Sequence, residues 1–294
     1  MTTRKIAAET TGPVTIDATL LGHGGTISVR AVPGCERATI TVHTADEEGP
    51  AADAVREATL RQSGSELSVS VRGKGGNTGG TTTVISNRRG GSVYQSVGNI
   101  TGQVVGMNIA GGNVTVNGVR ISGRGGAVVI NGSSPVEITA VVPVGSSING
   151  RSQSADIIAE GVLLDVTGST QSGDVRTENA STVRVSTQSG DVVVHRASTV
   201  NARTQSGDLR LASAATVDGD TMSGDVEIKA LSGVARVNSM SGDVRIHAVT
   251  GGRVSAGTMS GDVSVTAAAE ALRSGLDVRA DSMTGDVRTP RRTA

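Results

Sequence analysis

Gln171-Ser172-Gly173-Asp174-Val175 is repeated as Gln188-Ser189-Gly190-Asp191-Val192 and again as Gln205-Ser206-Gly207-Asp208-Leu209. With Met in the first place it runs on through Met222 to Val226, Met240 to Val244, Met259 to Val263 and Met283 to Val287. Gln153-Ser154-Ala155-Asp156-Ile157 is an earlier, blurred copy. The aspartates of the series are Asp156, Asp174, Asp191, Asp208, Asp225, Asp243, Asp262 and Asp286, spaced by 18, 17, 17, 17, 18, 19 and 24 residues. A near-constant period of this length marks a repeat architecture.

Outward from the motif, each copy reads as two short strands. The slot before it holds Thr170, Thr187, Thr204, Thr221, Ser239, Thr258 and Ser282. Four residues earlier stand Val166, Val183, Val200, Val217, Ala235, Val254 and Val278, with a small or apolar residue between, such as Gly168, Val185 or Ala202. That is the period of two expected of a strand with one face inward. Its parity turns the Thr/Ser slot inward too, as a buried hydroxyl ladder. After the motif a second alternation follows, as in Val192-Val193-Val194 and Val226-Glu227-Ile228. The two strands meet at the Ser-Gly pair. Gly173, Gly190, Gly207, Gly224, Gly242, Gly261 and Gly285 are the structural repeat there, because glycine relieves the backbone strain of a corner. The other corner is looser and takes the length variation, most of it between Thr266 and Leu276.

Two strands in so few residues cannot enclose a core alone. Stacked as parallel coils at roughly 4.8 Å per rung, they bury continuous aliphatic columns. The expected fold is all-β: a parallel β-solenoid of about eight rungs of 17–19 residues, with a β-rich N-terminal region carrying one short helix.

Composition agrees and excludes much else. The chain of 294 residues has no Phe or Trp, one Tyr (Tyr94) and 41 Gly. Its core is therefore Val, Ile, Leu, Ala and Thr, which suits thin coils and not an aromatic-lined pocket. Net charge is zero, so neither nucleic acid nor an anionic membrane is an expected partner. Cys35 is the single cysteine, so no internal disulfide forms. No apolar stretch reaches the length of a membrane span, and Met1 to Ile6 lead into no apolar signal-peptide core. A cytoplasmic product is the expectation.

Three regions are expected. Residues 1–75 form a β-rich unit, with strands over Val14 to Leu20, Ile27 to Val32, Thr39 to Val42 and Leu67 to Val71. Its helix falls between Ala51 and Arg61, with Val55, Ala58 and Leu60 on one face and Pro50 at the first turn. This unit could cap the solenoid. Residues 76–132 are Gly-rich and irregular, and residues 133–294 hold the repeats. Gly73 to Gly80 reads as a linker, and Pro290 with Arg291 and Arg292 as a blunt end to the last rung.

The Asp column is the sharpest candidate for chemistry. In register, neighbouring carboxylates would lie roughly 5 Å apart and repel by about 1 kcal/mol per pair even in water. Arg176, Arg210, Arg245 and Arg288, each two residues after an Asp, can compensate, and a turn aspartate can also accept backbone N–H bonds. Calcium bridging Asp174, Asp191, Asp208, Asp225, Asp243 and Asp262 is the functional alternative, since hard oxygen ligands suit it. The Gln-to-Met change reads as a corner position tolerant of either polarity, with a thioether metal site as the alternative. No catalytic set is visible. His23, His43, His195 and His247 are scattered, and Ser172 and its equivalents recur in every copy as framework. Neither Gly22-His23-Gly24-Gly25 nor Gly123-Arg124-Gly125-Gly126 is a dinucleotide or phosphate-loop fingerprint, so no cofactor is expected.

The repeated Gln/Met-Ser-Gly-Asp-Val, with Thr before it and alternating valines around it, resembles the bacterial putative-adhesin family of β-strand-repeat proteins, a domain of unknown function frequent in actinobacteria. The resemblance covers residues 135 to 289 and, more weakly, the N-terminal strands. It implies no catalytic residues and allows a place at the cell surface. The function expected is a non-catalytic, adhesin-like binding or scaffold protein presenting a regular face to a macromolecule, a protein more than a glycan. The alternatives are a self-assembling scaffold inside the cell and, more remotely, a polysaccharide-acting β-helix enzyme.

Overall fold

The computed structural model describes residues 1–73 and 134–290 in full, with the backbone of four short strands between them. The first part forms strands β1 (Thr2–Ala7), β2 (Thr15–Leu21), β3 (Gly25–Val32) and β4 (Thr39–Thr44), helix α1 (Pro50–Arg56), then β5 (Thr59–Ser63) and β6 (Glu66–Arg72). Ile16, Ala18 and Leu20 in β2, and Ile27, Val29 and Ala31 in β3, face inward as their alternation demands. Helix α1 opens on Pro50 and buries Ala51, Ala54 and Val55. It stops well short of Arg61, because Thr59 onward pairs with β6 and Leu60 lies opposite Val69. Tertiary pairing overrides the helical spacing there.

Between these regions lie β7 (Gln103–Asn108), β8 (Gly112–Val116), β9 (Val119–Gly123) and β10 (Ala127–Asn131). β7 pairs with β10 and β8 with β9, each antiparallel and outside the main sheet. The linker read at Gly73 to Gly80 lies, from Lys74 on, outside the described residues, as do Arg291 and Arg292 of the expected end cap.

The repeats begin with β11 (Val136–Pro143) and β12 (Ser147–Ser152) and continue through β13 (Asp156–Thr170), β14 (Val175–Thr187), β15 (Val192–Thr204), β16 (Leu209–Thr221) and β17 (Val226–Ser241). They end with β18 (Val244–Ala248), β19 (Gly252–Ser260), β20 (Val263–Ala267), helix α2 (Ala269–Arg273), β21 (Leu276–Thr284) and β22 (Val287–Arg288). Successive copies pair in parallel, residue for equivalent residue. Val175 stands opposite Val192, then Leu209, Val226, Val244 and Val263. Val183 stands opposite Val200, Val217, Ala235, Val254 and Val278. The chain is mostly β, in a long open sheet that does not close into a barrel.

One detail differs from two short strands per copy. From β13 to β17 the strand runs through the looser corner without a break. Extra residues in the longer copies appear as register shifts at that corner, between Ala159 and Val162 and between Ile228 and Leu231. The longest insertion forms α2, which buries Ala271.

The two inner faces meet through complementary sizes. At Gly219 a Cβ would come within 2.9 Å of Leu209 Cδ2, and at Gly150 within 3.0 Å of Ile157 Cδ1. Larger residues in the first column therefore sit against glycines in the second, which keeps a thin core dense. The Thr/Ser slot is buried from Thr170 to Thr258, as its parity requires.

The N-terminal strands enter the same sheet. β2 lies between β6 and β12, parallel to both, and β3 lies between β11 and β13, again in parallel. Antiparallel β4 pairs with β11 on one side and β1 on the other. The corner joining β2 to β3 holds His23, 3% exposed, with neither ring nitrogen hydrogen-bonded among the described residues. Burial lowers its pKa from 6.5. The unfolded chain then binds a proton that the folded chain refuses, so this stability is present above the unfolded pKa and lost as pH falls through the folded one. Denaturant titrations at pH 7.5 and 5 are expected to show the loss, and His23→Leu to remove its share of it.

Candidate functional site

The repeat corner starts with a hydroxyl. Thr170, Thr187 and Thr204 turn inward, and each Oγ1 accepts the N–H of the glycine three residues on, at 2.9 Å. Ser152 does the same for Ala155 in the blurred copy, at 2.6 Å. Further along, the hydroxyl donates instead to a glycine carbonyl in the preceding coil: Ser239 to Gly224 at 3.4 Å, Thr258 to Gly242 at 3.2 Å and Ser282 to Gly261 at 2.8 Å. With them the glycine conformation changes. Gly242, Gly261 and Gly285 have φ of 156°, 143° and 153°, a region that disfavours any other residue.

The glycine exposes the amide of the aspartate, and here the column closes on itself. Oδ1 of Asp156 accepts the N–H of Asp174 at 2.8 Å. Oδ1 of Asp174 accepts that of Asp191, and the relation passes through Asp208, Asp225, Asp243 and Asp262 to Asp286, each at 2.8–2.9 Å. From Asp174 to Asp286 each aspartate carbonyl also accepts a strand amide one coil back, for example Val192 N–H to Asp208 O at 2.8 Å. The sequence places a turn aspartate at this position; its bond runs across coils, not within its own turn.

The second carboxylate oxygen explains the arginine spacing. Arg occupies the position two after Asp in every second coil, with Val193, Glu227 and Ser264 between. Arg210 reaches Asp208 Oδ2 at 2.5 Å and Asp191 Oδ2 at 3.0 Å. Arg176 spans Asp174 and Asp156 at 2.7 and 3.7 Å, and Arg245 spans Asp243 and Asp225 at 2.5 and 3.7 Å. At Arg176, Arg210 and Arg245 one guanidinium thus serves two carboxylates, while Arg288 at the last copy reaches Asp286 at 3.4 Å. The hydrogen bond to Asp191, with Asp208 alongside, raises the pKa of Arg210 further. These exposed pairs contribute about 0–1 kcal/mol each; their larger effect is to offset repulsion along the column. From Asp174 to Asp243 a bridging calcium ion would have to take oxygens already paired with amides and guanidinium groups. Among the described residues no group of three or more His, Cys, Asp or Glu gathers as a metal site.

Beside the Asp column runs the Gln/Met file. Gln171, Gln188 and Gln205 are exposed, and so are Met222, Met240, Met259 and Met283. A shallow groove follows the Gln part, lined by Arg151, Gln153, Gln171, Gln188 and neighbouring serines. The outer face of the adjoining strands carries a mixed polar column: Arg151, Ser169, Ser186, Arg203, Asp220 and Asn238. Asp220 accepts from Arg203 at 3.5 Å and from Asn238 at 3.0 Å. The histidines do not converge. His23 is buried at the β2–β3 corner, His43 faces Glu137 at 3.2 Å, and His195 and His247 lie three coils apart.

The family described as Toastrack DUF4097 matches residues 36–294. Curated proteins give no match. Among solved structures, a putative adhesin from Bacteroides fragilis NCTC 9343 is 13% identical, with 97% of this chain and 96% of that one covered and a TM-score of 0.46. A putative lipid binding protein from Parabacteroides distasonis ATCC 8503 is 10% identical over 98% and 97% of the two chains, with a TM-score of 0.47. A putative adhesin from Parabacteroides merdae ATCC 43184 is 10% identical over 98% and 97%, with a TM-score of 0.41. No helix among the described residues is long and apolar enough to cross a membrane.

Proposed function

We propose a non-catalytic binding function for this chain, which belongs to the Toastrack DUF4097 family. In this reading the repeats form a parallel β-solenoid of about eight rungs that holds an outward face rigid for a macromolecular partner. One observation carries it. Slots in the corner and the core keep one residue type from coil to coil, whereas the outward column varies between basic, hydroxyl, acidic and amide side chains: Arg151, Ser169, Ser186, Arg203, Asp220, Asn238. Repetition is what a framework needs; a recognition surface needs individuality at fixed spacing. The Ser-Gly-Asp corners, with their bonds spent on neighbouring coils, are framework, and the protein is adhesin-like in presenting a surface, not in performing a reaction.

The test is affinity capture with the full chain from cells that express it, beside an Arg203→Glu variant. A partner recovered by the native chain and reduced at least tenfold by the variant supports the reading. Recovery of nothing by the native chain, or equal recovery by both, overturns it for this face. Protease added to intact cells decides whether the partner is met outside or inside.

The far end favours a second reading, self-assembly. Among the described residues β21 pairs with β19 and β22 with β20, each on one side only, and Val287 is 41% exposed. An open strand edge with exposed apolar residues is a template for another chain. Light scattering that reports only monomer over a wide concentration range would remove this reading.

A further inference from the structure

The slot after Thr changes chemistry half-way along the sheet while the fold around it continues. Gln153, Gln171, Gln188 and Gln205 occupy it first, and Met222, Met240, Met259 and Met283 afterwards. The ladders put these four methionines in one file. Thr221 lies opposite Ser239, Ser239 opposite Thr258 and Thr258 opposite Ser282, so each following Met stands beside the next. They are four of the six methionines in the chain. All are exposed, at 50%, 47%, 48% and 76%. Packing does not require an apolar side chain here, since Gln fills the same exposed slot in the earlier coils. What Met adds is a thioether.

Coil spacing makes that addition specific. Neighbouring strands stand about 4.8 Å apart. Metal–sulfur bonds are about 2.3 Å at zinc–thiolate sites, and an ion held between two sulfurs at about that length spans nearly the same distance. Thioethers select soft monovalent ions, Cu(I) above all, over the hard cations that carboxylates prefer. The neighbouring carboxylates are engaged: Asp225, Asp243 and Asp262 each hold the next coil's amide. We propose that the Met222–Met240–Met259–Met283 file binds soft monovalent metal ions, Cu(I) or its analogue Ag(I), between thioethers of adjacent coils. The site is independent of the outward polar column assigned to the macromolecular partner.

Ag(I) is the practical probe, titrated in chloride-free buffer by calorimetry and native mass spectrometry. Cys35, the one thiol, is replaced by Ser in every sample. The slot supplies its own control: Met240→Gln with Met259→Gln installs the residue that earlier coils carry. The parent is expected to take up Ag(I) and melt higher with it. The double Gln variant, with unchanged far-ultraviolet dichroism and metal-free melting, is expected to lose at least tenfold in affinity. Met240→Leu with Met259→Leu keeps the apolar shape without sulfur and is expected to lose as much. No uptake by the parent overturns the proposal. So does uptake that survives in either double variant, which would place the metal elsewhere.

Discussion

Gly207→Ala is expected to destabilise the chain by about 3 kcal/mol or more, near the top of the range for single substitutions. Gly257→Ala, three coils away in β19, is expected to be neutral or stabilising by about 0.4–1 kcal/mol. Neither glycine needs a left-handed backbone, so the contrast is purely one of space. A Cβ at Gly207 would lie 2.0 Å from the Gly190 carbonyl oxygen and 2.6 Å from its carbon. The obstruction is backbone, fixed by Asp208 N–H to Asp191 Oδ1 and by Gly207 N–H to Thr204 Oγ1, each at 2.9 Å. Relief requires lifting one coil from the next and breaking the Asp208–Asp191 bond. At Gly257 the nearest obstacle is Asn238 Oδ1 at 3.8 Å, an ordinary contact. Urea denaturation of the two variants checks the contrast. Equal behaviour would mean that the corners are not stacked this closely.

The second expectation separates hydrogen bonding from charge in the Asp column. Asp174→Ala removes the acceptor of the Asp191 amide and the nearer partner of Arg176, and is expected to cost about 1–3 kcal/mol. Asp174→Asn keeps Oδ1 for that amide and gives up only a surface ion pair, so its expected cost is about 0–1 kcal/mol. The difference in denaturation midpoints between the two variants is the readout. If Asn proves as damaging as Ala, the column works through charge, by ion pairing or a bound cation, and the amide ladder is secondary.

How much of this was legible follows from what a period can encode. The spacing of the aspartates names the columns, and strand parity fixes their direction, so the buried Thr slot and the parallel order are readable residue by residue. A period does not say which amide a side chain meets. The bond from Asp174 to the next coil, like the change in hydroxyl role at Ser239, depends on an axial offset of about one strand spacing. The alternation of arginines was in plain view; its reason, one guanidinium spanning two carboxylates, needs that same offset. The placement of β2 and β3 carries no repeat signal at all. Their insertion among β6, β11, β12 and β13 is long-range pairing, which local alternation cannot specify. It also gives a reason for the blurred copy: Asp156 lies opposite Thr26, so Ala155 rests above the Gly25 corner and not above another Ser-Gly-Asp. Helix α1 was placed by its Pro50 start and apolar face, but its end was set by β5 pairing with β6.

The central claim is that the repeated corner is a self-sufficient hydrogen-bonded framework. Amide hydrogen exchange of the aspartates from Asp174 to Asp286, recorded with and without a chelator, tests it most directly. The account predicts strong protection, comparable to the flanking strand amides and unchanged by chelation. Fast exchange at these amides, or protection that disappears when divalent ions are removed, would contradict it and make the column a metal site after all.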